Sequence, residues 1–153
     1  MKSVKAIGII IMVLGIIGIG VGATFFGIGV VKNDLIVDRM NTEKVTIALD
    51  PTHPEIATQI NNAAEAQLAA DTIATHRRKI APTYQDLLGG KNFDPTNTTQ
   101  LTYVQAMNLE NYLYTAVTAF GLIEIAEASG GFMILTGLAL AGTGFALYRL
   151  SKV

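Results

Sequence analysis

Hydrophobic residues are concentrated in two long runs, one near each end of the 153-residue chain. Residues 7–31 contain no charged side chain, and residues 128–148 contain none either. Each run exceeds the roughly 18 apolar residues that are typical of a transmembrane helix. The pattern therefore predicts a first transmembrane helix over 6–31 and a second over 128–148.

The segment between the two runs, residues 32–127, has the polar pattern of a separate helical domain. A polar turn is expected after the first run, and in "VTIAL" the β-branched residues favour a short extended piece. Thr52 and Glu55 have capping-box spacing, which predicts a helix over about 53–79. The predicted apolar face of this helix consists largely of small residues: Ile56, Ile60, Ala63, Ala70 and Ile73.

Two further helices are predicted before the second apolar run. A short one is expected over about 83–88, and a long one from about residue 99 onward, continuous with the second transmembrane helix. Residues 113–123 of this long helix are apolar but precede the transmembrane segment, so they need another partner. The small-residue face of the 53–79 helix is the expected one.

Positive charge is concentrated just outside the two apolar runs. The chain ends carry a charge of +4 without an acidic residue, against −5 for the middle. The four cations are Lys2, Lys5, Arg149 and Lys152. By the positive-inside rule, residues 1–5 and 149–153 are cytoplasmic and 32–127 extracytoplasmic. The predicted fold is an all-α cell-membrane protein whose two transmembrane helices flank a helical extracytoplasmic cap.

The N-terminal run also has an alternative interpretation as a signal peptide. A short basic region precedes the apolar residues, and "GVGA" at 20–23 offers small residues for cleavage. The apolar run continues to Val31, however, which is longer than an ordinary signal core. An uncleaved anchor is favoured, and detection of the intact N-terminus on the mature protein would decide between the two.

Two carboxylates, Glu124 and Glu127, lie just before the second apolar run. Counted back from Tyr148, the 21 residues of 128–148 fill about 31 Å, the thickness of the hydrocarbon core. This register places Glu127 at the outer interface and Glu124 beyond it. The rival register, with 113–133 in the bilayer, would bury both charges at roughly 2.5–3.5 kcal/mol each. The interfacial register is therefore favoured.

Small residues in both transmembrane helices predict close helix packing. Gly18 and Gly22 are four residues apart in the first helix, and Gly137, Ala141 and Gly144 form a similar strip in the second. Such strips allow two helix backbones to approach closely. We expect the strips to face each other or the same strip of a neighbouring subunit.

Side chains suited to catalysis or metal binding are scarce. The chain has no cysteine, and its two histidines, His53 and His76, are about 35 Å apart if one helix holds both. They could then share a metal only across subunits. We predict no catalytic, cofactor-binding or metal-binding residue, no cofactor and no nucleic-acid partner.

Two polar motifs of the middle segment are candidate surface sites. Arg77, Arg78 and Lys79 could contact anionic lipid heads or an acidic partner, although such a cluster is more often a solvated helix end. Asn97 begins an Asn-Thr-Thr triplet, which matches the N-glycosylation signal.

The segments "AADTIATHRRKIAPTYQDLLGG" and "NYLYTAVTAFGLIEIA" resemble small two-pass membrane proteins found in actinobacteria and related bacteria. These proteins often carry the label of aromatic ring-opening dioxygenase, which implies a soluble iron enzyme whose ligands this chain lacks. The resemblance implies a two-pass membrane protein, and it carries over no site residue.

Three hypotheses for function follow. The leading one is a non-enzymatic accessory subunit of a membrane complex or a self-assembling scaffold, with the lipid bilayer and other subunits or itself as partners. The alternative is an oligomeric ion or proton transport component that uses Glu124 and Glu127. A third, an enzyme or ligand-binding module in the cap, would require a metal or cofactor that co-purifies.

Overall fold

The chain is mostly helical, as the sequence predicts. A computed structural model describes residues 2–44, 46–48 and 57–152, and 84% of the structure is helix. In chain order the elements are α1 (Lys2–Thr42), β1 (Thr46–Ala48), β2 (Ala57–Gln59), α2 (Ala63–Ile80), α3 (Tyr84–Leu88) and α4 (Thr98–Leu150). Two of the helices, over Ser3–Thr42 and Thr98–Leu150, are long and apolar enough to cross a membrane.

The residues divide into two compact units. The first, here called the helix pair, comprises Met1–Asp34 of the N-terminal part and Leu122–Val153 of the C-terminal part. The second, here called the central unit, comprises Leu35–Gly121. It holds the two strands, α2, α3 and the adjoining ends of α1 and α4.

The first helix is longer than predicted. We expected a polar turn after residue 31, and this is wrong, since α1 continues to Thr42. The added residues contain neither proline nor glycine, and Ile36, Val37 and Met40 lie on one helical face that packs into the core of the central unit. The helix ends just before Lys44, which has a left-handed φ of 51°.

The predicted start of the 53–79 helix is also wrong. Ala57–Gln59 forms a strand that pairs antiparallel with Thr46–Ala48, so the extended piece expected in "VTIAL" is confirmed for its described residues. The predicted cap at 52–55, together with Ile56, lies outside the described residues. The strand pairing takes up residues that helix propensity alone would assign to α2.

A second capping pattern, ten residues later, sets the true start of α2. Asn62 has an extended backbone, and its side-chain oxygen accepts a hydrogen bond from the amide of Glu65 at 2.9 Å. Glu65 in turn accepts from the amide of Asn61 at 2.8 Å. The first contact satisfies an amide that the first helical turn leaves without a partner, and the second ties Glu65 to the residue before the cap. The helix ends at Ile80, one residue beyond the predicted end.

The short helix α3 begins at Tyr84, one residue after the predicted start, and ends at Leu88. Thr83 caps α3 by accepting from the amide of Asp86 at 3.1 Å. Gly89 ends the helix with φ at 56°, a left-handed conformation that glycine adopts without a steric penalty.

The core of the central unit lies between α2, α4 and the end of α1, and of the predicted segment 113–123 it contains Leu113, Ala116 and Phe120. The small alanine side chains of α2 pack against large side chains of α4. The buried cluster consists of Met40, Ile60, Ala66, Ala69, Ala70, Leu113, Ala116 and Phe120.

Candidate functional site: a glycine seam between two apolar helices

A strict seven-residue repeat of glycine forms the contact within the helix pair. In α1 the repeat consists of Gly8, Gly15, Gly22 and Gly29, and all four are buried. In α4 it consists of Gly130, Gly137 and Gly144, which are buried as well. We call these seven residues the glycine seam.

The backbones of the two helices touch along the seam. A methyl group built on Gly22 would lie 2.7 Å from the carbonyl oxygen of Gly130, and one built on Gly137 would lie 2.6 Å from that of Gly15. Real methyl groups do not approach other atoms so closely, and the obstacle is backbone rather than a movable side chain. The seam therefore requires glycine on both sides.

The pairing runs antiparallel in a regular register. Gly8 lies against Gly144, Gly15 against Gly137, and Gly22 against Gly130. A seven-residue repeat keeps facing its partner only if the two helices wrap around each other with a left-handed supercoil. The seam thus couples the two helices over most of their apolar length.

The sequence prediction found part of this seam. Gly22, Gly137 and Gly144 belong to it, and Ala141 lies directly against Gly15. Gly18 lies at its margin, where an added methyl group would be 3.6 Å from the Cα of Gly137, an ordinary contact. The missed members are Gly8, Gly15, Gly29 and Gly130, which a search for seven-residue periodicity would have found. The strips face each other within one chain.

Away from the seam the helix pair is apolar and open. In the most apolar 18-residue stretch of each long helix, only 17% is buried. The core helix of a soluble protein, by contrast, is mostly buried. The largest exposed side chains include Phe25, Phe26, Phe132 and Leu135. Phe132 and Leu135 are 70% and 68% exposed, so the outer surface of this unit is suited to an apolar solvent or partner.

The two glutamates occupy different positions on α4. Glu124 is exposed, while Glu127 is half-buried and lies over Gly29, the last glycine of the α1 repeat. The Cδ atom and one carboxylate oxygen of Glu127 are each 3.3 Å from the position of a methyl group built on Gly29. Gly29 thus leaves room for a carboxylate at the end of the seam.

The central unit contains a nearly buried ion pair that the sequence did not indicate. The Nε atom of Arg77 donates to Glu110 at 2.7 Å, and the two side chains are only 11% and 9% exposed. Arg77 also donates to the hydroxyl of Tyr103 and lies 4.9 Å from the centre of that ring. The proposed lipid or partner contact therefore does not apply to Arg77, and only Arg78 and Lys79 stay exposed.

An exposed carboxylate on α2 is also tied to α4. Asp71 accepts a hydrogen bond from Tyr114 at 2.7 Å and from Gln67 at 3.0 Å. The bond from Tyr114, then that from Gln67 and the nearby charge of Arg78, lower the pKa of Asp71 below its ordinary value of 3.8. This contact stabilises the folded unit above pH 3.8 and is lost as the pH falls through the lowered pKa.

Replacing Tyr114 by phenylalanine should raise the pKa of Asp71 toward 3.8, because the largest cause of the shift is removed. An NMR titration of the Asp71 carboxyl carbon would measure the change. Tyr112→Phe is the matched control, since Tyr112 is exposed on the same helix and is not bonded to Asp71. An unchanged pKa in the Tyr114 variant would contradict the assignment.

Asn97 of the predicted glycosylation triplet lies just before α4 and caps its first turn. Its side-chain oxygen accepts from the amides of Thr99 at 3.0 Å and Gln100 at 3.1 Å. We expect Asn97→Ala to lower the stability of this helix start by about 1 kcal/mol. Asn97→Asp should keep the cap, because a carboxylate oxygen accepts the same bonds, and hydrogen exchange of the first α4 amides would compare the two. Equal exchange in both variants would show that the cap contributes nothing. Glycosylation at Asn97 stays a prediction.

No group of three or more metal-ligating His, Cys, Asp or Glu side chains occurs among the described residues. His76 is exposed on α2, and His53 lies outside the described residues. Because α2 begins at Ala63, the two histidines do not share one continuous helix, and the distance expected between them does not apply.

No protein-family model matches this chain, and no curated protein or solved structure is significantly similar to it. The resemblance to small two-pass membrane proteins stays a prediction. A proposal for function therefore depends on the geometry of the two units.

Proposed function

We propose that this protein is a non-enzymatic integral membrane protein that serves as an accessory subunit or a self-assembling scaffold of a membrane complex. The observation that carries the proposal is the surface of the helix pair. The glycines of the seam already pack against each other within the chain, and the outward faces of the two helices bear large exposed apolar side chains. Such a surface is stable in lipid or against another apolar helix, and costly in water.

The antiparallel register supports the predicted transmembrane boundaries. At one end of the pair, the amine of Lys5 lies 5.9 Å from the ring centre of Tyr148, and Arg149 follows directly. At the other end Gly29 lies against Glu127. The first charged residues of both helices thus occur at matching levels, and the uncharged stretches 6–31 and 128–148 lie between them.

The same register counts against the deeper placement of the glutamates. A bilayer centred on 113–133 would leave the apolar first half of α1 outside it, because residues 8–15 pair with 137–144. Placing those residues in water would lose the apolar burial of that half of the run, and such burial drives insertion. The cations at the chain ends further support cytoplasmic termini and an extracytoplasmic central segment over 32–127.

A scaffold function is supported by the apolar surface that lies outside the glycine seam. Close contacts through glycine are already made inside the chain, so assembly would use the exposed face that carries Phe132 and Leu135. The seam would then act as a rigid support that presents this face. Partners would be a second copy or another membrane subunit.

Membrane fractionation and native mass spectrometry test the proposal together. We expect the protein to resist extraction by alkaline carbonate and to appear in gentle detergent as an oligomer or with a membrane partner. Phe132→Ala with Leu135→Ala should weaken that assembly without loosening the seam, and Phe25→Ala on α1 tests whether the effect is specific to the α4 face. A strictly monomeric, partnerless protein would contradict the scaffold function, and carbonate extraction would contradict membrane insertion.

One observation favours a second candidate function, a proton or ion transport component. Glu127 is half-buried at the end of the seam rather than fully exposed. Two helices cannot line a pore alone, so transport would require oligomerisation. Glu124→Gln with Glu127→Gln should then abolish a flux measured in proteoliposomes while assembly is retained, and an unchanged flux would remove this candidate.

A further inference from the structure

A cluster of cations surrounds Tyr148 at the end of the helix pair where α1 begins and α4 ends. The amines of Lys5 and Lys152 lie 5.9 Å and 4.7 Å from the centre of the Tyr148 ring. Cations at such distances are attracted to the face of an aromatic ring. Tyr148 thus draws two lysines toward one place beside Arg149, one from the start of α1 and one from the turn that follows α4.

No carboxylate side chain compensates these charges locally. The sequence has no Asp or Glu before Asp34 and none after Glu127, and these two residues belong to the opposite end of the pair. Because α1 begins and α4 ends at this level, their opposed helix dipoles largely cancel there. The side-chain cations therefore determine the local charge.

The cations border a recess with apolar walls. An open recess of about 790 Å³ is lined by Phe145, Ala146, Tyr148, Arg149, Leu150 and Lys152. Phe145 and Leu150 are 52% and 67% exposed. Gly142, one turn before Phe145, has no side chain within 4 Å of an added methyl group, so the apolar surface continues open toward the middle of the helix.

We infer that this recess binds an anionic membrane phospholipid. Arg149 and Lys152 pair with the headgroup phosphate, Tyr148 holds Lys152 and Lys5 beside it, and one acyl chain lies along Phe145 and the open surface at Gly142. The combination of uncompensated cations with an adjoining apolar surface matches the two parts of such a lipid. A free anion would use only the first part. The inference rests on the proposed membrane insertion and goes beyond the proposed scaffold function.

Native mass spectrometry of protein released from lipid nanodiscs tests this inference. The nanodiscs contain equal amounts of phosphatidylglycerol and phosphatidylcholine. We expect the wild-type protein to retain phosphatidylglycerol in preference, and Arg149→Gln with Lys152→Gln to reduce that preference roughly tenfold or more. Lys44→Gln with Lys91→Gln removes the same charge from exposed positions of the central unit that belong to no candidate lipid contact, and should leave the preference unchanged.

Each outcome bears on one claim. Equal retention of both lipids by the wild type, or an equal loss in both double variants, would overturn the lipid site while membrane insertion stands. Displacement of the retained lipid by millimolar inorganic phosphate would show a site for free anions instead. All variants are first tested for resistance to carbonate extraction, since a wild-type protein that fails this test contradicts the proposed function itself.

Discussion

Replacing Gly15 by valine should separate the two apolar helices and lower the free energy of unfolding of the helix pair by about 3 kcal/mol, the upper end of the usual overpacking cost. An added methyl group at Gly15 would meet the amide nitrogen of Ala141 and lie 2.6 Å from the carbonyl oxygen of Gly137. Both obstacles are backbone atoms, so a local rotamer change cannot relieve the clash. Thermal unfolding in detergent, followed by circular dichroism, would measure the loss.

Gly20→Val is the matched control for this variant. Gly20 lies in the same helix, but an added methyl group there has no neighbour within 4 Å. The two variants add the same side chain and differ in whether it meets the seam. If Gly15→Val proved as stable as Gly20→Val, the seam would not hold the pair together.

Replacing Glu110 by methionine should destabilise the central unit by about 3–5 kcal/mol, because it leaves the charge of Arg77 nearly buried without its partner. Hydrogen exchange of the α2 amides would report the change within this unit, even if the helix pair stays folded in detergent. The exchange of α2 amides near Arg77 should accelerate most.

Two further variants separate the lost pair from a general packing defect. Arg77→Met with Glu110→Met removes both charges and should recover most of the stability, since a buried pair often contributes little beyond its apolar replacement. Arg78→Met removes an exposed neighbouring charge and should change stability by less than about 0.5 kcal/mol. A double variant as unstable as Glu110→Met alone would contradict the assignment.

The helical content and the two long apolar helices could be predicted because they depend on local pattern. The start of α2 could not. Thr52 and Glu55 have the spacing of a capping box, and so do Asn62 and Glu65, but the pairing of Ala57–Gln59 with β1 decides in favour of the second. That pairing depends on a contact between two separate segments of the chain, and helix propensity, which is a local property, does not reflect such contacts.

The candidate site was only partly predictable for a similar reason. A spacing of four residues drew attention to Gly18 and Gly22, yet the seam follows a spacing of seven, which includes Gly22 and leaves Gly18 at the margin. The ion pair of Arg77 with Glu110 joins residues 33 positions apart. Nothing in the local pattern around "HRRK" distinguishes Arg77 from its exposed neighbours.

The regularity of the glycine repeat leaves the alignment of the two helices ambiguous by whole repeats. A shift of seven residues, about 10 Å, would place Gly130 against Gly29, Gly137 against Gly22 and Gly144 against Gly15, so that every glycine of α4 still met a glycine. Contact geometry alone therefore does not select the observed pairing.

In a bilayer, the charged residues at the two ends remove this ambiguity. The shift that keeps all three glycine pairs would draw Arg149 and Lys152 into the apolar layer. The opposite shift would move Glu127 from the level of Gly29 to that of Gly22, which lies deeper in the same layer. Each charge carried to the bilayer centre costs roughly 2.5–3.5 kcal/mol. The glycines determine how closely the helices approach, and the charges determine which of several equivalent alignments they adopt.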